Sequence, residues 1–340
     1  MSKNENLHRA KTNKEDEFYT QRSYIEDELC HYAEHFKDKV VYCNCDDPVT
    51  SEFWQFFVRN FKPYGLKKLI ATHYEPDEKN YAYSLEICED TNGDGRIDHL
   101  DEPTVKQLPC NGDFRSAACI ELLKEADIVV TNPPFSLWRE YIQQLMDYDK
   151  KFLIIGSQNA ITYKEIFPLL MNNQMWLGYY SGDMKFRVPD YYEPRATRFW
   201  IDETGQKWRS LGNTCWYTNL DIKKRHTPLD LRGNYYSAEK YPEFDNYQGI
   251  NVNRVADIPC DYEGIMGVPI TFMNVHCPEQ FDILGITCRG YSPEYRTKMY
   301  ERSDYKNAND LNGSGCILVD GKPKMIYGRL LIRKRCSGGD

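Results

Sequence analysis

The chain has 340 residues, of which 41% are hydrophobic, 14% aromatic and 28% charged. This composition is typical of a folded protein, and no apolar run approaches the roughly 18 residues of a membrane helix, so disorder and membrane spanning are excluded. The length predicts one large α/β domain or two smaller domains. Because the first residues lack the apolar segment of a secretory signal, we expect a cytoplasmic protein whose twelve cysteines are mostly free thiols.

Charge is distributed unevenly along the chain, although 43 basic and 51 acidic residues give a net charge of only −8. Residues 1–130 contain 16 basic and 26 acidic side chains, whereas residues 131–340 contain 27 and 25. Residues 184–232 are the most basic segment, with ten Lys and Arg against six acids. This segment predicts a surface that contacts phosphates, although a solvated surface hairpin would have the same composition.

The first half of the chain predicts a doubly wound, Rossmann-like sheet that is mostly parallel. Residues 1–15 are polar and aperiodic, so we expect a mobile tail, and apolar positions at helical spacing from Gln21 to Phe36 predict a first helix. Short apolar runs then alternate with helical patterns, which indicates βαβ units whose ligands bind beyond the carboxyl ends of the strands. The predicted strands are 39–43, 66–71, 81–88, 104–108, 127–131 and 151–155, and the predicted helices begin near 51, 116 and 138.

The second half of the chain is less regular. Aromatic strand-like segments at 175–180 and 215–220 flank the basic segment, which predicts an antiparallel hairpin over 175–220 that closes the sheet. Beyond Arg232 the chain is rich in Tyr, Asn, Gly and Pro, which indicates a smaller, irregular lobe. We therefore predict a large domain over 16–228 and a second lobe over 229–340.

The most specific motif is Asn132-Pro133-Pro134-Phe135, which follows a predicted buried strand and precedes a predicted helix. Two successive prolines rigidify the loop and leave the Asn132 amide oxygen and the Pro133 carbonyl as fixed acceptors. Such acceptors can hold a purine amine with its hydrogens out of the ring plane, which makes the nitrogen lone pair available to an electrophile. Phe135 offers a face on which an extruded base stacks, at ~1–3 kcal/mol. An ordinary turn is the alternative, which the strand-loop-helix context disfavours.

Segments along most of the chain resemble the S-adenosylmethionine-dependent adenine-specific DNA methyltransferases, and most closely those of the EcoRI type. The cofactor segments precede the Asn-Pro-Pro-Phe loop and the variable region follows it, which is similar to the gamma order of amino-methyltransferases. The resemblance implies a catalytic domain over 16–228 and a target-recognition lobe over 229–340. It is carried by residues 16–20, 39–48, 112–116, 127–135, 152–156, 215–220, 266–272 and 278–281.

The resemblance also implies which residues bind the cofactor S-adenosylmethionine. Phe18, Tyr19 and Thr20 match a segment that lies against the methionine part of the cofactor in the family. The loop after the first strand is glycine-rich in most relatives but contains no glycine here, so side chains are expected to replace backbone contacts. The residues of this loop are Asn44, Asp46, Asp47 and Pro48.

Acidic residues after the next two strands are the remaining cofactor candidates. Glu75 stands where the family places an acid on the ribose hydroxyls, and Asp77 is the alternative for that position. Asp113 matches an acid near the adenine of the cofactor or of the target. The alternative for Asp113 is a turn or helix-capping residue in Asn-Gly-Asp.

The implied reaction is methyl transfer to the exocyclic amine of an extruded adenine in double-stranded DNA. The EcoRI-type resemblance suggests the site GAATTC, methylated at its second adenine, in a restriction-modification or phage context. We expect the enzyme to act as a monomer. A cognate restriction endonuclease is a possible partner in the same system, but no direct contact between the two proteins is implied. The alternatives are an RNA or protein-glutamine methyltransferase, and a DNA-binding decoy that has lost catalysis. The expected phosphate contacts are Lys185, Arg187, Lys223, Lys224 and Arg225.

A second motif, residues 90–101, fits a twelve-residue calcium loop. The preceding residues alternate as a strand does, no helix enters the loop, and Asn-Gly-Asp-Gly is also a strong hairpin turn. We therefore predict a hairpin, expect no metal, and keep calcium as the weaker interpretation. The candidate ligands are Asp90, Asn92, Asp94, Asp98 and Asp101.

Overall fold

The computed structural model divides the chain into two compact units. One unit comprises the described residues up to Asn159 together with Leu177–Leu220, and the other comprises Ala160–Trp176 and the described residues from Asp221 onward. The predicted tail lies outside the described residues, and the division into a catalytic domain and a target-recognition lobe stays a prediction. The structure describes residues 18–45, 47–75, 80–94, 97 and 101–335.

An eight-stranded mixed sheet forms the centre of the first unit. The helices of this unit are α1 (Arg22–Leu29), α2 (Glu52–Arg59), α3 (Ala117–Glu125) and α4 (Trp138–Asp147). The strands up to the end of this unit are β1 (Tyr19–Thr20), β2 (Val40–Cys43), β3 (Lys68–His73), β4 (Tyr83–Ile87), β5 (Thr104–Gln107), β6 (Ile128–Thr131), β7 (Lys151–Ser157), β8 (Trp176–Gly182), β9 (Lys185–Arg187), β10 (Phe199–Ile201), β11 (Lys207–Ser210) and β12 (Thr214–Thr218).

The strand order in the large sheet is β5-β4-β3-β2-β6-β7-β12-β8. The four central strands β3, β2, β6 and β7 are parallel, whereas β4, β5 and β12 join by antiparallel pairing. Every position of β2 and β6 is buried, as expected for parallel strands inside a layered α/β structure. The predicted α/β fold with a large sheet is therefore confirmed, but the sheet is mixed and not mostly parallel as predicted, because β4, β5 and β12 all pair in the antiparallel direction.

The segments predicted at 175–180 and 215–220 close the large sheet as expected, but the residues between them form strands of a second sheet. β8 and β12 do lie side by side at one edge of the large sheet. The basic segment between them instead forms β9, β10 and β11, which pair with β1 in a separate sheet of order β1-β9-β11-β10. The physical reason is burial: Phe186 of β9 is 0% exposed and packs 5.6 Å from the ring of Phe18, next to β1.

Local sequence signals explain where the helices begin and end. Ser51 caps α2 by accepting from the backbone N–H of Phe53, and Ser116 caps α3 in the same way. The first helix is shorter than predicted, because α1 ends at Leu29 and a short 3₁₀ turn follows at Ala33–His35. The apolar residues that predicted the longer helix are nevertheless all buried, namely Ile25, Leu29, Tyr32 and Phe36.

The second unit contains a four-stranded sheet of order β13-β14-β18-β15 and a separate two-stranded hairpin. Phe244, Tyr247 and Leu331 form one of its apolar clusters. Within the ranges that the structure describes, no helix is both long and apolar enough to cross a membrane. The remaining elements are α5 (Phe167–Met171), α6 (Ala308–Asn312), β13 (Ile250–Asn251), β14 (Met266–Pro269), β15 (Phe281–Ile286), β16 (Cys316–Val319), β17 (Lys322–Met325) and β18 (Arg329–Lys334).

Candidate active site at the carboxyl edge of the large sheet

Three central strands end in polar residues at one edge of the large sheet. Asn44 directly follows β2, Glu75 lies two residues beyond β3, and Asn132 directly follows β6. The chain order reverses between the neighbouring strands β2 and β6. Such a switch point opens a crevice at the carboxyl ends of the strands, where α/β proteins bind their ligands. The fold therefore brings these sequence-predicted residues to one edge.

The Asn-Pro-Pro-Phe loop is fixed by a contact from the amino-terminal end of the described chain. Asn132 is buried, and its Nδ2 donates a hydrogen bond of 2.7 Å to the carbonyl oxygen of Phe18. This bond sets the plane of the amide and turns Oδ1 away from Phe18. Pro133 is buried, and the N–H of Leu137 donates to the Pro134 carbonyl at 3.0 Å, which forms the turn into α4.

The ring of Phe135 is half-buried beside the same segment. Its centroid lies 5.5 Å from that of Phe18, with the planes tilted by 58°. Phe18 also contacts Phe186 and Tyr192, with centroids at 5.6 and 6.1 Å. Phe18 therefore holds the loop twice, with its carbonyl on Asn132 and its ring on Phe135.

Tyr19 and Thr20 form β1, which pairs with β9 through Tyr19↔Arg187 and Thr20↔Phe186. Thr20 is 3% exposed, and its Oγ1 is buried without a hydrogen-bond partner among the described residues. A buried hydroxyl in this state costs free energy unless something bonds to it. The segment to which the family resemblance assigns cofactor binding therefore presents a polar atom available to a ligand.

Asn44 is the second residue with a buried polar atom of this kind. The Tyr141 hydroxyl of α4 donates to Asn44 Oδ1, and the Thr72 hydroxyl donates to the Asn44 carbonyl at 3.3 Å. Asn44 Nδ2 is buried without a hydrogen-bond partner in the part of the chain that the structure describes. Burial holds the pKa of Tyr141 well above its ordinary value, so this hydroxyl remains a donor that orients the amide.

Asp47 organises the loop that lacks glycine. Its Oδ1 accepts from the N–H of Val49 at 2.8 Å, and its carbonyl accepts from the N–H of Ser51 at 2.7 Å, so one residue forms the turn that leads into α2. Pro48 is buried within this turn. Asp46, the other acidic candidate of the loop, lies outside the described residues.

His73 lies at the candidate site and was not identified from the sequence. Its Nδ1 lies 3.2 Å from Asp47 Oδ2 and its Nε2 lies 3.6 Å from Glu75 Oε2. Its ring stacks on Tyr83 with centroids 4.9 Å apart. Its position in the sequence could have indicated a role at the site. His73 is the last residue of β3 and lies two residues before Glu75, the acid to which the family resemblance assigns a cofactor contact.

A close backbone contact keeps Glu75 beside the Asp113 segment. The N–H of Glu75 donates to the Asn111 carbonyl at 2.9 Å. Gly112 has φ +79°, and a Cβ at this position would lie 2.2 Å from the His73 carbonyl oxygen, so only glycine fits. Asp77, the alternative to Glu75, lies outside the described residues.

Asp113 has the geometry of the turn residue that was its alternative interpretation. Its carboxylate accepts from the backbone N–H of Arg115 at 2.9 Å, and from the Arg115 guanidinium at 2.9 and 2.6 Å. These bonds from Arg115 hold the pKa of Asp113 below its ordinary value. Arg115 also reaches Glu140 of α4 at 3.0 Å. The role of Asp113 beside an adenine stays a prediction.

Two of the five expected phosphate contacts lie on β9, in the small sheet that includes β1. Lys185 is exposed. Arg187 has a side chain that is 35% exposed, and its Nη2 lies 3.8 Å from Glu52 Oε1, which is long for a hydrogen bond. These two cations are therefore placed next to the Phe18 segment and are only weakly engaged by acids.

The other three expected phosphate contacts belong to a 3₁₀ helix at Lys223–His226, which we call the basic turn. Arg225 is only 15% exposed; its guanidinium lies 3.9 Å from the centroid of Trp176 and donates to Asn173 Oδ1 at 2.9 Å. Lys223 is exposed and Lys224 is half-buried. The geometry of Arg225 favours a structural role, whereas the two lysines remain candidates.

The residues of the calcium motif connect two antiparallel strands, β4 and β5, as the hairpin interpretation predicts. Asp101 is buried, and its Oδ1 accepts from the backbone N–H groups of Thr91 and Asn92 at 2.7 and 3.3 Å. Asp90 likewise accepts from the N–H of Gly93, and Asn92 from that of Asp94. Among the described residues, which exclude Asp98, no group of His, Cys, Asp and Glu has the arrangement of a metal site.

The chain matches the family model described as adenine-specific methyltransferase EcoRI over residues 6–335. It is 50% identical over 289 residues to Type II methyltransferase M.EcoRI of Escherichia coli, which covers 83% of this chain and 89% of that protein. It is 36% identical over 338 residues to Type II methyltransferase M.MpnI of Mycoplasma pneumoniae, which covers 97% and 98%. No solved structure gives a significant match. The chain therefore belongs to the EcoRI family of adenine-specific methyltransferases.

Proposed function

We propose that the Asn-Pro-Pro-Phe loop holds the exocyclic amine of a target adenine in DNA while that amine receives a methyl group from S-adenosylmethionine. Family membership makes the chain a site-specific DNA adenine methyltransferase of the Type II class. The observation that carries the proposed role of the loop is the hydrogen bond from Asn132 Nδ2 to the Phe18 carbonyl. This bond fixes the amide group so that its oxygen points away from Phe18. An oxygen in this orientation can accept a hydrogen from an amine.

Residues at the carboxyl edge and on β1 fit the proposed cofactor. Asn44 Nδ2 and Thr20 Oγ1 are buried and have no partner among the described residues, so each can bond to a polar ligand without displacing a protein contact. Glu75 presents a carboxylate at the end of β3, where it can accept bonds from ribose hydroxyls. When bound, S-adenosylmethionine supplies an electrophilic sulfonium methyl group.

Catalysis in this proposal is positioning by protein acceptors. Asn132 Oδ1 and the Pro133 carbonyl accept the two amine hydrogens, which draws them out of the ring plane and leaves the nitrogen lone pair directed at the methyl group. Asn44 and Thr20 would hold S-adenosylmethionine, which would supply the methyl group to this nitrogen. No general base is required before transfer, because the neutral amine already has a lone pair, and the methylated amine, which carries a positive charge, would lose one proton to water.

We also propose that the target adenine is extruded from the helix and stacks on Phe135. An amine inside a base pair is inaccessible to a buried loop, so enzymes that act on bases take them out of the stack. The half-buried ring of Phe135, supported by Phe18, provides a face for the extruded base. Lys185 and Arg187 on β9 are proposed to contact phosphates beside it.

The recognition sequence is proposed from relatedness. The relative M.EcoRI is 50% identical to this chain, which supports GAATTC with methylation of the second adenine. In this proposal the doubly wound, Rossmann-like catalytic domain binds the cofactor and residues 229–340 read the sequence. The enzyme acts as a monomer in the cytoplasm, where S-adenosylmethionine and DNA are both present, and any cognate endonuclease is a separate protein.

The test is transfer of labelled methyl from S-adenosylmethionine to double-stranded DNA, followed by sequencing that reads modified adenines. We expect N6-methyladenine at one short motif. Label in RNA or protein, or no label in any of these polymers, would contradict the proposal.

A further inference from the structure

A row of four side chains crosses the small sheet from the cofactor segment to its outer edge. The register pairs Tyr19 with Arg187, Arg187 with Trp208, and Trp208 with Trp200. Directly opposed residues on neighbouring strands point to the same face of a sheet, so all four belong to one face. We call these residues the cross-strand row.

The two indoles of the row form a rigid pair. The rings of Trp200 and Trp208 are parallel to within 4°, with centroids 6.1 Å apart. Trp208 Nε1 donates to Asp202 Oδ2 at 2.7 Å, and Asp202 Oδ1 also accepts from Thr204 and from the N–H of Gln206. These bonds hold the pKa of Asp202 low, at about 2, so the carboxylate remains an acceptor at neutral pH. The tip of the β10–β11 hairpin therefore fixes the orientation of Trp208.

The two faces of the sheet differ in how they are used. Phe186 and Thr20 lie on the opposite face and are buried, and Phe199 on that face stacks on Tyr192 at 6.3 Å. On the face of the row, Trp200 is 36% exposed and Lys185 is exposed. The face of the row thus combines exposed indole surface with cations, which is the combination that nucleic-acid surfaces use for bases and phosphates.

We propose that Trp200, held in place by Trp208, stacks on a nucleobase of the DNA beside the target adenine when that adenine is extruded. This inference rests on the proposed function. Extrusion leaves neighbouring bases with uncovered faces, and a preoriented indole can cover one at little entropic cost. The row is continuous with the site, since Tyr19 follows Phe18, whose carbonyl holds Asn132. Arg187 and Lys185 then contact the phosphates next to that base.

The experiment uses the full chain with a duplex that contains the recognition site, in which 2-aminopurine replaces the target adenine. The fluorescence of 2-aminopurine rises when it leaves the stack, so it reports extrusion, and titration reports DNA affinity. The variants are Trp200→Ala, Trp200→Phe and the control Ile201→Ala. Ile201 is 55% exposed on the same strand but points to the opposite face.

We expect Trp200→Ala to weaken DNA binding about tenfold and to reduce the fluorescence rise. Trp200→Phe should recover part of both, and Ile201→Ala should match the wild type. Thermal unfolding and S-adenosylmethionine binding should be unchanged in all three variants. Wild-type affinity and fluorescence in Trp200→Ala would overturn the inference. Methyl transfer by the wild type on the unmodified duplex, measured in parallel, reports on the proposed function separately.

Discussion

The Asn-Pro-Pro-Phe loop and the basic turn are both short polar motifs, but the structure uses their side chains in opposite ways. In the loop, one hydrogen bond to the Phe18 carbonyl orients Asn132 and leaves its amide oxygen outside that contact. In the basic turn, Arg225 stacks on Trp176, and His226 contacts Asp221 and Glu279 at 2.8 Å each. Hydrogen bonds to these two acids raise the pKa of His226. Positive charge in a sequence segment is therefore a weaker guide to function than the position of a residue at the end of a strand.

The largest effect is expected from Asn132→Ala, which removes the acceptor that orients the amine. We expect kcat to fall by about a thousandfold, because one positioned hydrogen-bonding group typically contributes 10²–10³ in rate. The dissociation constant of S-adenosylmethionine should stay within about threefold of the wild type. Labelled-methyl transfer and calorimetric titration measure the two quantities.

Asn172→Ala is the matched control for this change, since Asn172 is exposed beyond the end of α5. It should leave both quantities unchanged. Near wild-type turnover in Asn132→Ala would remove the loop from the chemistry.

The next largest effect is expected from Phe135→Ala. Loss of a stacking face for the extruded base should lower kcat/KM by about tenfold to a hundredfold. Phe135→Tyr keeps an aromatic ring and should therefore retain most of the wild-type kcat/KM. Steady-state kinetics with DNA as the varied substrate provides the measurement, and equal loss in both variants would argue against stacking.

Asn44→Asp tests the cofactor side of the site. The substitution keeps an oxygen for the Tyr141 hydroxyl and removes the buried Nδ2 donor. We expect S-adenosylmethionine to bind about tenfold more weakly, as for loss of one hydrogen bond to a charged or polar ligand. Titration of S-adenosylmethionine against this variant and against the control Asn172→Asp measures the affinity. Unchanged affinity in Asn44→Asp would show that Asn44 does not bind the cofactor.

The smallest effects distinguish the residues of the basic turn. Replacing Lys223 and Lys224 by Ala should reduce the slope of log affinity for DNA against log salt by about 2, if each contacts a phosphate. Arg225→Ala should leave the slope unchanged and lower the free energy of unfolding by about 1–2 kcal/mol, because it removes the contact with Trp176. Salt titrations and chemical denaturation measure these effects. A reduced slope in Arg225→Ala would show that its guanidinium reaches DNA.

Much of the large sheet was predictable because its signals are local. β-branched runs gave the parallel strands, Ser51 and Ser116 marked helix starts, and the Asn-Pro-Pro-Phe loop stood at the end of a strand as expected. The carboxyl edge followed from the alternation of strands and helices. Asn44 and Glu75 were identified there through family resemblance, and the structure places both at that edge.

The contacts that were not predictable join residues far apart in the chain. The bond between Phe18 and Asn132 spans 114 positions, and the pairing of β1 with β9 brings the amino-terminal segment to the basic segment. Periodicity contains no information about such partners. The packing of Arg225 on Trp176 likewise depends on tertiary structure, which a count of charges along the sequence cannot reveal.

The most direct test of the account removes the amine from the DNA instead of a side chain from the protein. Two duplexes that contain the recognition site are compared, one with adenine at the target position of both strands and one with purine, which lacks the exocyclic amine, at both positions. We predict that both bind with similar affinity and that only the adenine duplex accepts labelled methyl from S-adenosylmethionine. Equal labelling of the purine duplex would contradict the claim that Asn132 presents this amine for transfer.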